Sequence, residues 1–393
     1  MKKKLLFIMN NLNCGGAEKS LLSLLQTIDY SKYDVDLYLF KHEGIFLSKL
    51  PMQVNLLKEP PYYQYFDMPL KAALIDCIAK GRFSVAMFRL FAGYIFYTEK
   101  NASRREQRVW KYLSYTLPSL SGTYDAAIGY LEKNPVYFGI EKVKATKKLG
   151  YIHNDYNKLQ MDPNIDNKFF EFLDHLVTVS DICGEVLEQK FPQYKSKVRV
   201  IQNIVSPTLI HQMSVESSNL YDNKSTTIVS IGRLNKQKGF EMAIEACKSL
   251  VDKNYDIRWY VIGEGEERNR LEQMINDYQL HDHFYLIGIK DNPYPYIREA
   301  DIYVQPSRFE GKSIAIDEAK ILNKPIVVTN FSTAKDQITH YENGLIVEMN
   351  SAAISEGIIE IMESDALRLS LKECLSKESL GTESEIEKFY ALT

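Results

Sequence analysis

Apolar runs and helix-spaced apolar stripes alternate along most of the chain. Leu5–Met9 is a short continuous apolar run, the pattern of a strand buried on both faces. Asn10–Gly16 then reads as a loop ending in Gly15-Gly16. Ala17–Ile28 carries leucines at 21, 22, 24 and 25 and reads as a core-facing helix. Asp36–Phe40 predicts the next strand, which completes a βαβ unit and implies a parallel sheet. The alternation resumes with strands at Tyr124–Leu131, Leu149–His153, Leu176–Ser180 and Val198–Ile201, and a helix over Asp181–Lys190. Residues 204–226 hold no strong period and contain Pro207, Ser217-Ser218, Asn219, Asp222 and Asn223, the composition of a linker. The pattern restarts with strands at Thr227–Ile231, Ile257–Ile262, Phe284–Ile287, Ile302–Gln305, Pro325–Thr329 and Leu345–Val347. Helices are predicted over Phe240–Val251, Leu271–Tyr278 and much of 351–393. The reading is α/β with two domains: 1–203, a linker at 204–226, and 227–375, followed by a C-terminal helical segment, 376–393.

With 393 residues, two full cores are affordable. The net charge of −3 offers no bulk attraction to nucleic acid. Cys14, Cys77, Cys183, Cys247 and Cys374 form no CxxC pair, so neither a disulfide framework nor a thiolate metal site is indicated, and a reducing cytoplasm is the expected setting. The apolar run after Met1-Lys2-Lys3-Lys4 stops at Asn10-Asn11, short of a signal peptide. No stretch is long and uncharged enough to span a bilayer.

Residues 80–112 depart from the average. Eight basic side chains, among them Arg82, Arg89, Arg104, Arg105 and Arg108, stand against Glu99 and Glu106, interleaved with aromatics such as Phe83, Phe91, Tyr94 and Trp110. Such a segment can lie on an anionic membrane surface, with those arginines facing membrane or acceptor. It can equally be a core-facing helix pair with a solvated basic face.

Candidate chemistry gathers at predicted strand ends. Glu310-Gly-Lys-Ser-Ile-Ala-Ile-Asp-Glu318 follows the strand ending at Gln305, with a helix starting near Ser313. Ser313 to Glu318 spans roughly 7–8 Å of helix axis, which suits two carboxylates gripping two parts of one elongated ligand. A helix start also offers free N–H groups to an anion. A solvated acidic helix face fits the residue types as well. Gly232-Arg233 to Lys238-Gly239 places two cations at the mouth of the following helix, a diphosphate site or a basic surface loop. Gly15-Gly16 before a helix could approach a phosphate or simply turn. Gly263-Glu-Gly265 lacks the third glycine of a dinucleotide fingerprint and carries acidic neighbours, so a nicotinamide site is discounted. His153 ends a parallel strand, where ligand groups collect. His281-Asp-His283 has no third ligand in sequence and reads as a solvated loop.

Taken in order, these pieces resemble the retaining glycosyltransferases of the large GT-B group often called family 4. The resemblance is carried by Gly15-Gly16-Ala17-Glu18, Tyr151-Ile152-His153, Gly232-Arg233 with Lys238-Gly239, Gly263-x-Gly265, Ala300–Ser307, Glu310-x7-Glu318 and Asn343-Gly344. It runs nearly the full length. Lys312-Ser313 stands where the family commonly has an apolar residue and then Pro or Gly, which bears on the donor sugar more than on the reaction. The resemblance implies two Rossmann-like domains with parallel sheets facing across a cleft, and a C-terminal helix that crosses back to the first domain. It implies that Arg233 and Lys238 neutralise a diphosphate leaving group and Glu318 accepts from ribose hydroxyls. Glu310 would contact the donor sugar near its reacting carbon. Gly15, Gly16 and His153 would approach the donor from the first domain. Gly263, Ile289, Gly311, Lys312, Ser313 and Ile314 would complete the nucleotide-sugar site. The expected activity is retaining transfer of a hexose-type sugar from a nucleotide-diphosphate donor, UDP before GDP, to a glycan or polyprenyl-linked acceptor in capsule or envelope polysaccharide synthesis. No metal and no cofactor are expected, and the location would be cytoplasmic, peripheral on the inner face of the membrane. A nucleotide-sugar epimerase and a catalytically silent nucleotide-binding subunit are the rival readings.

Overall fold

The computed structural model describes residues 2–13, 15–215, 221 and 225–393. The chain divides into two compact units. The first holds most of the residues up to Ile201 together with Ile386–Thr393; the body of the second is Gln202–Glu385.

The first unit is built on a seven-stranded parallel sheet. Its strands are β1 (Lys3–Met9), β2 (Tyr33–Leu39), β3 (Val54–Leu56), β4 (Thr123–Gly129), β5 (Lys144–Ile152), β6 (His175–Thr178) and β7 (Val198–Val200). Their order is β3-β2-β1-β4-β5-β6-β7. Leu5 to Met9 are all fully buried, as a central strand covered on both faces requires. Strand β3, absent from the sequence reading, is three residues long and only half-buried, so it carries no apolar run to detect. Residues 70–113 form three successive helices, Leu70–Ala79, Phe83–Thr98 and Ala102–Leu113. Among the described residues no helix is long and apolar enough to cross a membrane. The C-terminal helix Glu385–Leu392 packs against β1 and β2: Phe389 stacks on Phe7 at 5.7 Å and Tyr390 on Tyr33 at 4.8 Å. The Tyr390 hydroxyl accepts from the Asp29 amide at 2.8 Å.

The second unit repeats the plan with six parallel strands, β8 (Thr226–Ile231), β9 (Ile257–Ile262), β10 (Phe284–Leu286), β11 (Ile302–Gln305), β12 (Ile326–Thr329) and β13 (Leu345–Val347). Their order is β10-β9-β8-β11-β12-β13. Trp259 on β9 is fully buried beneath the helix Phe240–Asp252, whose Ala243, Ala246, Cys247 and Leu250 form one apolar face. The segment predicted as a linker holds a helix, Pro207–Ser214, which Ile210 anchors in the core; residues 216–220 and 222–224 of that segment lie outside the described residues. Two stretches that enter and leave this unit are tied together. Thr382 Oγ1 donates to the Asn203 carbonyl at 2.7 Å and accepts from the Val205 amide at 2.8 Å, and the Glu385 carboxylate accepts from the Gln202 amide at 2.9 Å.

Each sheet reverses its strand order once, between β1 and β4 in the first unit and between β8 and β11 in the second. In open parallel sheets the crevice outside the carboxyl ends at that reversal is the usual ligand site.

Candidate active site

In the second unit the loops after β8 and β11 leave the sheet on either side of the reversal, and their side chains meet. Lys238 Nζ donates to Glu310 Oε1 at 2.6 Å, with both side chains largely buried, 17% and 7% exposed. The same oxygen accepts from Ser307 Oγ at 2.6 Å and Gln305 Nε2 at 3.1 Å. Glu310 Oε2 receives only a long 3.4 Å contact from Gln237 Nε2 among the described residues. Gln237 also donates to the Phe309 carbonyl, and Thr333 Oγ1 to the carbonyl of Glu310 itself. The carboxylate is thus fixed through one oxygen and open at the other. Charge placed this way needs little reorganisation when a reaction develops charge beside it.

Local backbone makes that meeting possible. Asn235 caps a short turn by accepting from the Lys238 amide, and Gly239 follows with φ +64°. A side chain there would be strained and would run into the Pro306 carbonyl at 2.2 Å. Next to it, Gly263 (φ +152°) ends β9 so close to β8 that a Cβ would lie 1.9 Å from the Gly232 carbonyl oxygen. Its amide donates to the Gly288 carbonyl at 3.0 Å, which aligns Ile289 with the same carboxyl edge. Arg233 is exposed on the loop after β8.

The helix of the Glu310–Glu318 stretch runs Ile314–Ile321 with Ser313 as its N-cap residue. Glu318 is 1% exposed and accepts from the Tyr294 hydroxyl at 3.1 Å. Burial, with Glu318 and Glu310 nearby, pushes the neighbouring Tyr303 hydroxyl well above the usual phenol range, so it stays protonated and donates to Gln305. One amide expected to be free for a ligand is not: Ser313 N–H donates to Gln337 Oε1 at 2.8 Å. Gln337 Nε2 donates in turn to Asp317 at 2.8 Å. Burial raises the Asp317 carboxyl above its ordinary range. Lys312 reaches Gln202 Oε1 at 2.5 Å and stands 4.0 Å from Asp317 Oδ2, so its ammonium links the Glu310–Glu318 stretch to the segment entering the unit.

In the first unit, His153 follows β5 and is buried. Nε2 donates to the Tyr130 carbonyl at 3.0 Å, and the ring lies 5.0 Å from that of Tyr130 and 5.6 Å from that of Tyr151. Burial pushes its pKa down to about 4, so at neutral pH the imidazole is uncharged, with Nδ1 as its acceptor. Its amide faces the Glu132 carboxylate at 3.4 Å, whose own pKa burial raises. Gly15 and Gly16 follow β1, and Gly16 opens the helix Gly16–Thr27.

Residues 215–376 match the family described as glycosyl transferases group 1. That stretch makes up most of the second unit. A Campylobacter jejuni N-acetylgalactosamine-N,N'-diacetylbacillosaminyl-diphospho-undecaprenol 4-alpha-N-acetylgalactosaminyltransferase is 28% identical over 229 residues, 58% of this chain and 61% of that protein. The capsular polysaccharide biosynthesis glycosyltransferase CapM of Staphylococcus aureus is 30% identical over 150 residues, 37% of this chain and 39% of its own length. The chain thus spans about half the length of these curated relatives. Solved structures match throughout. Staphylococcus aureus TarM, crystallised with fondaparinux, alpha-GlcNAc-glycerol and UDP, superposes with TM-score 0.69 at 13% identity, covering 99% of both chains. Anabaena HepE in complex with UDP-glucose gives TM-score 0.69 at 15% identity, covering 99% of this chain and 98% of its own. The two-sheet architecture is the GT-B fold.

The second unit joins Lys238 to Glu310 directly and sets Gly263 and Ile289 along the same sheet edge. Gln305, Ser307, Gln237 and Tyr294, which hold the two glutamates, were missed from sequence. Gln305 and Ser307 are 1% and 0% exposed, and polar residues that close a buried strand were the available signal. His283 of the histidine pair donates through Nδ1 to the Ile257 carbonyl at 3.0 Å, a structural bond. The arginines of 80–112 separate. Arg89 does not face outward: it is 5% exposed, and its guanidinium donates to the carbonyls of Tyr65 at 2.7 Å and Met68 at 2.9 Å. Helical spacing turns position 89 to the same side as Val85, Ala86 and Ala92, inside the bundle. Arg82 is half-buried over Tyr62 and bonded to the Tyr65 hydroxyl. Arg105 sits over Phe96, while Arg104 and Arg108 are exposed.

Proposed function

We propose that the protein is a retaining, metal-independent glycosyltransferase that moves a hexose-type sugar from a nucleotide-diphosphate sugar, UDP before GDP, to a glycan or lipid-linked acceptor in envelope polysaccharide synthesis. The observation that carries this reading is the buried Lys238–Glu310 pair at the strand reversal of the second sheet. Breaking a sugar–diphosphate bond builds positive charge at the anomeric carbon and negative charge on the departing phosphate. An ammonium and a carboxylate held side by side answer both changes. Lys238 and Arg233 receive the diphosphate, which leaves with the bonding electron pair. The acceptor hydroxyl oxygen bonds the anomeric carbon on the vacated face, and its proton goes to the departing phosphate. Glu310, through its open Oε2, holds a sugar hydroxyl near that carbon, and Glu318 takes the ribose hydroxyls. His153, neutral and presenting an acceptor nitrogen, binds a donor hydroxyl rather than delivering a proton. The positive charge comes from side chains, so the step calls for no metal ion.

The names of the matched relatives support an acceptor of the envelope class: one acts on a diphospho-undecaprenol substrate and one serves capsule synthesis. The crystallised neighbours bound to UDP and UDP-glucose support a uridine donor. Peripheral attachment to the inner face of the membrane is part of the proposal. Along the helix Phe83–Thr98, Phe83, Met87, Leu90, Tyr94 and Tyr97 recur at helical spacing and are 46–89% exposed, a stripe flanked by the cations of 80–111.

Calorimetric titration with UDP, GDP and ADP, without added metal, tests the donor site. A preference for UDP that Glu318→Ala abolishes is expected. Binding of all three alike, or retention of UDP affinity in the folded variant, refutes the nucleotide assignment. Salt-sensitive binding to anionic liposomes tests the attachment, and its absence refutes it.

A further inference from the structure

The first unit has a cavity of about 490 Å³ that the roles above leave unused. It opens between the start of the helix Ala102–Leu113, the loop that follows His153, and the end of the helix Asp181–Lys190. Asn101, Arg104, Tyr156, Asn157, Gln160 and Lys190 line it. No carboxylate is among its lining residues, while two cations are, so the cavity is suited to an anion. Both cations have capacity to spare. Arg104 spends only its Nε on the protein, donating to the Gln160 carbonyl at 3.2 Å, and its two terminal nitrogens have no hydrogen bond among the described residues. Lys190 has no ion pair or hydrogen bond among the described residues. The wall is fixed beforehand: Asn101 Nδ2 donates to Gln160 Oε1 at 2.7 Å, Asn101 Oδ1 accepts from the Arg104 amide at 2.9 Å, and Gln160 is held at φ +55°. The amides of Asn157 and Gln160 add donors for phosphate oxygens or sugar hydroxyls.

The second observation is what adjoins the cavity. Asn101 and Arg104 begin the helix that follows Phe83–Thr98, whose exposed stripe ends at Tyr94 and Tyr97, 70% and 89% exposed. Glu99 fixes the junction, accepting from the Asn101 amide at 3.1 Å and pairing with Arg108 at 3.1 Å. A polar cavity with two cations in its wall, roomy enough for a phosphate or diphosphate head group, therefore adjoins the helix that carries the exposed apolar stripe. One kind of molecule satisfies both, an amphiphile with a phosphate or diphosphate head and a long hydrocarbon tail.

We propose that this cavity binds the phosphate of a membrane-embedded isoprenoid-type acceptor, Arg104 and Lys190 pairing with the anion while the hydrocarbon lies along Phe83–Thr98. The proposal deepens the transferase reading by naming the acceptor's head group, and it rests on that reading for its purpose. Its binding chemistry stands apart and is tested without nucleotide. The test is co-sedimentation of the full chain with three vesicles: phosphatidylcholine alone, phosphatidylcholine with polyprenyl monophosphate, and phosphatidylcholine with phosphatidylglycerol at matched surface charge. Arg104→Ala with Lys190→Ala should weaken binding to polyprenyl-phosphate vesicles tenfold or more. Phosphatidylglycerol vesicles should lose much less. Lys111→Ala, on the same helix but outside the cavity, should leave that difference intact. Wild-type binding by the double variant, or equal losses on both anionic vesicles, overturns the proposal. Inorganic pyrophosphate should compete with the polyprenyl-phosphate vesicles. If the double variant loses pyrophosphate binding but not vesicle binding, the cavity serves a soluble phosphate and the lipid assignment fails. Circular dichroism melts keep misfolding apart from these outcomes. Failure of the wild-type chain to bind UDP would refute the transferase reading and leave the vesicle result standing.

Discussion

Lys238→Met removes the charge at the centre of the proposed donor site and keeps most of the stem. The ammonium lies 2.6 Å from Glu310 Oε1. At an effective dielectric near 20 that separation corresponds to about 6 kcal/mol of gross attraction, much of which desolvation of the two ions cancels. What the variant reads is the stranded carboxylate. Breaking a fully buried pair costs about 3–5 kcal/mol. Here Ser307 and Gln305 still donate to the same oxygen, and the lysine is 17% exposed, so a loss of about 2–3 kcal/mol is expected. The chain has two tryptophans, Trp110 in the first unit and Trp259 in the core of the second. Urea unfolding followed by fluorescence in a Trp110→Phe background therefore reports on the second unit. Turnover should fall by about 10²–10³, the scale of losing one fixed charge at a developing anion. Adding Glu310→Gln removes the stranded charge, so stability should return to within about 1 kcal/mol of the parent while activity stays lost. That divergence separates a site charge from a scaffold charge. A single variant that loses under about 0.5 kcal/mol and turns over normally would mean a solvated surface pair, and the diphosphate assignment would fall with it.

Three further perturbations address other parts of the chain. His153 is held at about pKa 4, below its unfolded 6.5, so its contribution is present above pH 6.5 and lost as pH falls toward 4, by about 3 kcal/mol in all. Urea midpoints at pH 7 and pH 5 should therefore diverge more for the wild type than for His153→Gln; parallel shifts in the two would show that the ring charges freely in the fold. Gly16→Ala should fold at least as stably, because a Cβ there meets nothing within 4 Å, yet lose turnover if the glycine turn approaches the donor; unchanged kcat/KM would exclude that role. Arg89→Met should cost about 1–3 kcal/mol by leaving two buried carbonyls without a donor, and should not alter vesicle binding; weaker binding in a normally folded variant would put the residue back at the surface.

The sheets were legible because their central strands are continuous apolar runs with helical stripes between them. The elements that escaped have neither signal: β3 is three residues long with none of them buried, and the helix Pro207–Ser214 begins at a proline inside a stretch read as linker. The 80–112 segment shows a different limit. Its basic excess is plain in the sequence, but charge counting cannot say which arginine turns inward. Arg89 sits one helical turn from Val85 and Ala86 and follows them into the core, where the Tyr65 and Met68 carbonyls take its donors.

The proposed donor site divides along the same line. Lys238, Glu310 and Glu318 could be named as candidates because the first two stand at a predicted helix mouth and strand end, and Glu318 lies inside the helix that follows. The groups that give them definite geometry could not, since Gln305, Ser307 and Tyr294 look like any polar residues near a strand or turn. The role of Gln305 and Ser307 exists only once β11 and the residues that close it are buried. A buried amide and hydroxyl must then find partners or cost stability, and the Glu310 carboxylate is the partner within reach. The same requirement works in the other direction. A carboxylate 5% exposed must itself find donors, and Lys238, Ser307 and Gln305 all converge on one of its oxygens. The polar closure of β11 and the charge pair are therefore one device, and substitution at Gln305 or Ser307 should disturb the site as directly as substitution of the residues that carry the charge.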